Sequence, residues 1–411
     1  MTRRTGRPVR IAMIGTRGVP AKYGGFETAI EEVGRRLVAL GHEVVVYCRS
    51  TDGGELPEEY LGMKLVHLPA MRRRSLETLS HTALSVLHLL RHRTDAAIVF
   101  NAANSPLLPV IRAARIPVAT HVDGLEWKRA KWGPVGQKYY RFAESLSVRL
   151  SDALIADAVG IQDYYTESFN ARTELITYGA PILESVGSAR IAALGLAPGR
   201  YHLVVARFEP ENHVDLIIEG FVRSGAKHSL VVVGSAPYAE AYTQKLRDLA
   251  DGRVRFLGGV WDQELLNELY ANALVYWHGH SVGGTNPSLL RAIGAGAATN
   301  AFDVNFNREV LGEAGRYFRT PDDVRELSNA AEADPAGCRA RGELSRREAG
   351  RYDWDEVAER YEALCLQLAA RTLTRNRGGR RRAAAPGTAV PVAVPGSSTA
   401  VPASDTAGSR S

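Results

Sequence analysis

The sequence predicts two α/β domains, each built on a parallel sheet with helices on both faces, set against each other across a cleft. Two observations carry this expectation. Short apolar runs alternate with amphipathic stretches of helical period through residues 8–351, and the alternation breaks and restarts around ESVGSARIAALGLAPGR, residues 184–200. Each half also holds one glycine-rich turn between a strand and a helix. Repeated strand–helix units give parallel sheets, and two such blocks give two Rossmann-like domains. The expected boundaries are 8–185 for the amino-terminal domain, 186–200 for a linker, 201–351 for the second domain, 352–370 for a helix packing back towards the first, and 371–411 for a tail.

In the first half RIAMIG (10–15) reads as a buried strand, FETAIEEVGRRLVALGH (26–42) as an amphipathic helix and EVVVYC (43–48) as the next strand. AAIVFN (96–101), IPVATHV (116–122) and ALIAD (153–157) continue the pattern. In the second half the strands are YHLVVAR (201–207), SLVVVG (229–234), VRFLG (254–258) and ALVYW (273–277). The stretch YDWDEVAERYEALCLQLAA (352–370) reads as a helix, with Asp353 and Glu356 at capping-box spacing. Its D-W-D is a helix start and not a D-x-D metal motif, which belongs after a strand.

With 411 residues and 45% hydrophobic content the chain can bury a large core. Cys48, Cys338 and Cys365 are widely spaced, which indicates neither a disulfide framework nor a zinc site. MTRRTGRPVR runs into IAMIG without a secretory apolar region and no stretch approaches a membrane span, so the expected location is cytoplasmic. The net charge of +6 resides in the tail, where seven basic residues face one acid; the rest of the chain is balanced, which argues against nucleic acid as a partner. That tail is rich in Ala, Pro, Gly and Ser, has no periodic apolar face and is expected to be disordered.

The chemistry is expected at the two glycine-rich turns. HGHSVGGTNPSLLRAIGAGA (278–297) follows a strand and leads into a helix with Asn286 as N-cap and Pro287 at the first helical position. A helix N-terminus offers N–H groups and the positive end of the macrodipole to an anion. IGTRGVPAKYGGFETAI (14–30) passes from strand to helix through a loop ending in Gly24 and Gly25, where the missing side chains let a ligand approach the backbone. A dinucleotide fold is the weaker reading: the loop is not G-x-G-x-x-G, and the second strand ends at Tyr47, Cys48 and Arg49 with no acid for a ribose. A purely structural loop stays open on this segment alone. Together the turns suit a ligand with a sugar at one end and a nucleoside diphosphate at the other.

Five ordered blocks now carry a family resemblance: IGTRGVPAKYGGFET, DGLEWKRAKWG (123–133), ARFEPENHVDLIIEGF (206–221), GHSVGGTNPSLLRA (279–292) and FDVNFNREVLGEAGRYF (302–318). The chain resembles glycosyltransferase family 4, of GT-B architecture, and more narrowly its rhamnosyltransferase-type members. The resemblance implies a sugar, rhamnose in that subgroup, moved from a nucleotide donor such as dTDP-rhamnose to a lipid-linked or polysaccharide acceptor in envelope glycan assembly, without metal or cofactor. It further implies retention by front-face displacement, in which the leaving phosphate takes the acceptor proton and no protein nucleophile is needed.

The resemblance implies roles residue by residue. Gly25, next to Gly24, matches a glycine whose N–H contacts the donor phosphate, and Arg207 matches the diphosphate arginine that neutralises the leaving group. Where relatives place a lysine five residues later, this chain has Asn212. Asp123 matches a position near the sugar where many relatives carry histidine; a carboxylate there can bind hydroxyls or assist proton transfer, although an Asp-Gly turn after the strand is an equal reading of the residues alone. Gly283, Gly284, Thr285 and Asn286 match the subgroup's donor-side loop, and Glu126, Trp127, Lys128 and Arg129 fall on the acceptor side. Relatives carry glutamates at the positions of Gly283 and Arg291. An arginine only donates hydrogen bonds, so Arg291 cannot accept from ribose hydroxyls as a carboxylate does; either the nucleotide sits differently, or Arg291 reaches a phosphate, or donor binding is impaired.

Three further readings complete the expectations. His278 and His280 share one face of a strand and lack a third ligand, so they line the cleft or bond locally rather than hold metal. MRRRSLETLSHTALSVLHLLRHR (71–93) and EWKRAKW (126–132), which includes Trp132 and Lys131, join basic and apolar or aromatic residues; the first reading is a core-packing helix with solvated arginines, and a surface for an anionic membrane is the alternative. A catalytically silent relative serving as a binding or scaffold protein is the alternative function, supported by Arg291, with a nicotinamide oxidoreductase third.

Overall fold

The computed structural model describes residues 7–376 apart from 22–23, 51–55, 72–75, 123, 130–131 and 236–239. Asp123, Arg72, Arg73, Arg74, Lys131 and the tail from 377 onward lie outside the described residues.

The first sheet draws on β1 (Arg10–Ile14), β2 (Glu43–Arg49), β3 (Glu59–Tyr60), β4 (Met63–Leu68), β5 (Ala96–Phe100), β6 (Val118–His121), β7 (Ala153–Ala156) and β8 (Glu174–Leu175). Its helices are α1 (Gly25–Ala39), α2 (Glu77–Arg91), α3 (Leu108–Ala113), α4 (Pro134–Leu150) and α5 (Val159–Phe169). The strand order is β3-β4-β2-β1-β5-β6-β7-β8, and among the described residues only the β3–β4 pair is antiparallel. Ile11, Met13, Val46, Ile98 and Phe100 are buried on these strands, because a parallel sheet covered on both faces leaves no polar side.

A short helix, α6 (Ala189–Ala193), precedes the second sheet. The segment expected to be a linker thus docks: Ile191 is buried and the N–H groups of Arg190 and Ile191 donate to Glu268 at 2.8 and 3.1 Å. The second domain alternates β9 (Tyr201–Val205), α7 (Val214–Val222), β10 (Ser229–Val233), α8 (Glu240–Leu249), β11 (Val254–Gly258), α9 (Gln263–Ala271), β12 (Val275–His278), α10 (Pro287–Gly294), β13 (Thr299–Phe302), α11 (Asn305–Leu311) and β14 (Arg316–Phe318). Then come α12 (Pro321–Ala333) and α13 (Pro335–Ala349). The six strands run parallel in the order β11-β10-β9-β12-β13-β14.

The last helix, α14 (Trp354–Ala370), packs on α1 and β5 of the first domain. Gly179 makes room for it: a Cβ there would overlap the Trp354 ring. Asp355 pairs with Arg36, and Glu362 meets His42 at 3.1 Å. Asp353 caps the helix, but onto the Asp355 N–H at 2.8 Å; Glu356 turns away to Arg360, so the spacing of a capping box occurs without the reciprocal bond. Residues 371–376, expected in the tail, are held to the first domain by Arg371 on Arg115 O, Arg375 on Asp152 and Asn376 on the Arg172 backbone.

Candidate active site

In each sheet the strand order reverses at one pair, β1 beside β5 and β9 beside β12, and connections leaving the carboxyl ends of such neighbours open a crevice. Here the crevices of the two sheets meet. The amino end of α1 lies against the amino end of α10: a Cβ on Gly25 would stand 3.1 Å from Pro287 Cγ and 3.7 Å from Tyr178 Cε2. Gly15 and Gly18, in the loop before α1, have φ of +107° and +95°, which glycine adopts without strain.

The two helix ends are not equivalent. Asn286 caps α10 thoroughly: its side chain accepts Ser288 N–H at 2.9 Å and its carbonyl accepts from Leu289 and Leu290. The donors expected to be open there are therefore committed, and α10 contributes mainly its dipole. By contrast Gly24, the N-cap of α1, has no side chain to cap with. Glu27 in that first turn accepts Arg17 N–H at 3.1 Å and Glu31 accepts Ala21 N–H at 2.7 Å, so two carboxylates fasten the glycine loop to the helix. Glu27 occupies the third helical position, where acids bind amides, and that is the local signal that marks it.

Arg207 leaves the end of β9 with its side chain 40% exposed and Glu209 Oε1 at 3.9 Å. Asn212 is buried beneath it and donates to the Arg207 carbonyl at 2.8 Å, which fixes the arginine's backbone. Gly279 must be glycine, since a Cβ would overlap Asn212 O. Gly283 has φ +131°. Thr285 is buried and spends its hydroxyl on Asp157 O at 2.5 Å, across the domain boundary. At Gly284 a Cβ would overlap the Asp157 carboxylate and lie 2.6 Å from Ile161 Cδ1. Gly284→Ala is therefore expected to push the loop off the first domain at about 1–3 kcal/mol, weakening nucleotide binding by calorimetry roughly tenfold or more with the circular dichroism spectrum unchanged; equal affinity would refute this.

Glu126, Trp127 and Lys128 form a 3-10 turn after β6. Arg129, which follows, is almost buried: it pairs with Glu126 and reaches Glu211 Oε1 of the second domain at 3.3 Å and Glu209 Oε2 at 3.9 Å. These carboxylates hold its charge against the cost of burial. Arg129 thus ties the domains together, a role that no local sequence pattern announces. Trp127 lies under the Arg141 guanidinium at 4.3 Å, and the Lys128 ammonium is 5.6 Å from the same ring. A second tie is the Glu309 carboxylate, which accepts the first N–H of α5 at 3.1 and 3.2 Å.

His278 ends β12 and His280 lies just past it, so the two do not share a strand, yet their rings stack with centres 4.4 Å apart. Tyr276 Oη joins His278 Nδ1 at 3.0 Å and Ser288 Oγ at 3.1 Å, linking the pair to the α10 cap. Burial, then His278, Arg207 and Arg129, push His280 far below its ordinary range. Among the described residues no group of three histidine, cysteine or acidic side chains is arranged to hold a metal. Arg291 donates to Asn267 Oδ1 at 3.1 Å and Gln263 Oε1 at 2.8 Å, both on α9, and burial lowers its pKa.

Burial pushes His278 and His121 each down to about 3, whereas unfolded histidine titrates near ~6.5. Between these values the unfolded chain binds more protons, so stability is complete above about 6.5 and falls with pH towards 3, by up to about 1.4 kcal/mol per unit for each histidine. The urea midpoint is expected to drop from pH 7.5 to pH 5, less so in His278→Gln; a flat profile would contradict the assignment.

Two facing Rossmann-like domains are the architecture of the GT-B class of glycosyltransferases. Comparison with known families agrees: residues 24–179 match the glycosyl transferase 4-like domain and residues 199–333 the glycosyl transferases group 1. The chain belongs to the GT-B glycosyltransferases. Sucrose-phosphate synthase from Thermosynechococcus elongatus superposes with a TM-score of 0.74 at 20% identity, over 89% of this chain and 100% of that one. The Anabaena HepE protein in complex with UDP-glucose gives 0.70 at 17% identity, over 87% and 99%. WaaG, a glycosyltransferase involved in lipopolysaccharide biosynthesis, gives 0.68 at 16%, over 86% and 99%. No curated protein matches by sequence. Among the described residues no helix is long and apolar enough to cross a membrane.

Proposed function

We propose that this glycosyltransferase moves rhamnose from dTDP-rhamnose or a similar nucleotide donor to a lipid-linked or polysaccharide acceptor in cell-envelope glycan assembly, with retention and without metal, at the cytoplasmic side of an anionic membrane. The observation that carries the reading is the meeting of the uncapped α1 end at Gly25 with the α10 end at Pro287, in a cleft to which Arg207 is assigned from the end of β9. Two helix dipoles and a guanidinium favour the charge of a nucleoside diphosphate, and favour it more as the glycosidic bond breaks and charge moves onto the phosphate. The acceptor hydroxyl then adds to the same face of the sugar and passes its proton to the departing phosphate oxygen. Asp123 holds sugar hydroxyls in this scheme, and Glu126, Trp127 and Lys128 border the acceptor.

HepE with UDP-glucose and WaaG in lipopolysaccharide biosynthesis support a nucleotide-sugar donor and an envelope setting for chains of this fold. Arg291 favours a second reading, a silent binding protein, because α9 already engages its guanidinium where relatives use a carboxylate. Calorimetry with dTDP and UDP, followed by a donor screen by mass spectrometry, separates the two. Binding with donor turnover is the expected result; absence of heat at millimolar nucleotide would overturn the enzyme reading.

A further inference from the structure

Seven of the fourteen large apolar side chains exposed on the described surface belong to α2, α3, α4 and the residues just before them. Two of them, Met71 and Leu76, line a groove of about 410 Å³ whose walls are completed by Leu79 and Ala83 of α2 and by Pro106, Leu107 and Tyr139 opposite. That volume lies within the ~300–1,000 Å³ usual for small-molecule sites. Val135, Tyr139 and Phe142 recur at helical spacing, so the wall continues along α4, where Val135 is 83% and Phe142 56% exposed.

The few polar atoms in the wall are already engaged. Tyr139 Oη donates to Ala103 O at 2.6 Å; Ser80 Oγ donates to Glu77 O at 3.2 Å and accepts Met71 N–H at 2.9 Å. A polypeptide laid in such a groove would bury backbone N–H and C=O groups without partners, whereas a hydrocarbon chain has none to satisfy. Cations stand beside it: Lys138 and Arg141 are exposed on α4, and Arg141 and Lys128 share the Trp127 ring. Lys128 immediately precedes Arg129, which bonds Glu211 of the second domain, so this cation stands next to the domain boundary.

We propose that the groove holds the hydrocarbon chain of the acceptor, an isoprenyl or similar chain joined through phosphate to the sugar being extended, with the phosphate towards Lys128, Lys138 and Arg141. This rests on the lipid-linked acceptor proposed above and names where its lipid is held. Long apolar contact would contribute affinity in proportion to buried area, and the cations would select an anionic head.

The test uses the full chain and farnesyl phosphate as probe, titrated by calorimetry, with inorganic phosphate as control. Ala83→Trp fills the groove and Leu79→Glu charges it; each is expected to weaken farnesyl phosphate binding at least tenfold while melting temperature and dTDP affinity hold. Arg141→Glu with Lys138→Glu is expected to weaken it and to flatten its salt dependence. Inorganic phosphate is expected not to compete at equal concentration. Unchanged farnesyl phosphate affinity in both groove variants would overturn the proposal. So would a wild-type chain that ignores the probe but sediments as a dimer dissociated by Ala83→Trp, or that binds anionic vesicles through the same residues without binding the probe. If the groove variants lose the probe while no nucleotide binds wild type, the groove assignment stands and the transfer reaction fails.

Discussion

Arg207→Ala is expected to lower donor turnover by roughly 100- to 1,000-fold, the usual loss when one preorganised donor to developing charge is removed. The fold should change little, because the side chain is 40% exposed and surface substitutions outside the core cost little stability. Turnover and stability therefore separate: hydrolysis or transfer of nucleotide sugar collapses while the melting temperature stays put. Arg207→Lys should fall between, since it keeps the charge but loses the planar fork that grips two phosphate oxygens. Retention of wild-type turnover by Arg207→Ala would remove the arginine from the site.

Arg129→Ala is expected to do the reverse and cost stability first. Arg129 sits among the carboxylates of Glu126, Glu209 and Glu211, and the side chains of Glu126 and Glu211 are only 9% and 5% exposed. Removing the cation leaves those acids buried without compensation, at about 3–5 kcal/mol. The loss should shrink in Arg129→Ala combined with Glu126→Gln and Glu211→Gln, which removes the charges as well. Urea unfolding of the three forms checks this, and a loss unchanged by neutralising the acids would show that Arg129 matters only through packing.

The parts legible in the sequence were those written in local grammar. Short apolar runs marked the strands, and Asn286 before Pro287 marked the start of α10, because caps and periodicity involve neighbours in the chain. What escaped was everything that depends on a partner far along it. Arg129 looked like one cation of a basic surface, yet it faces Glu211, 82 residues on. Thr285 looked like a free donor for substrate, yet it is bonded to Asp157, 128 residues back. The 186–200 segment, with its alanines and glycines, looked like a plain connector, and only the Glu268 carboxylate turns it into docked structure. Asn286 taught the opposite lesson: a strong cap signal marks a helix end and, by the same bonds, closes it to ligands.

The return of α14 to the first domain means that the backbone passes between lobes twice, once through residues 186–200 and once just before Trp354. Two covalent crossings act like a door on two pins. Twisting or sliding one lobe over the other would strain one crossing or pull α14 from its seat beside α1. The register of Gly25 opposite Pro287 is thus held by two backbone crossings in addition to the side-chain bonds between the lobes.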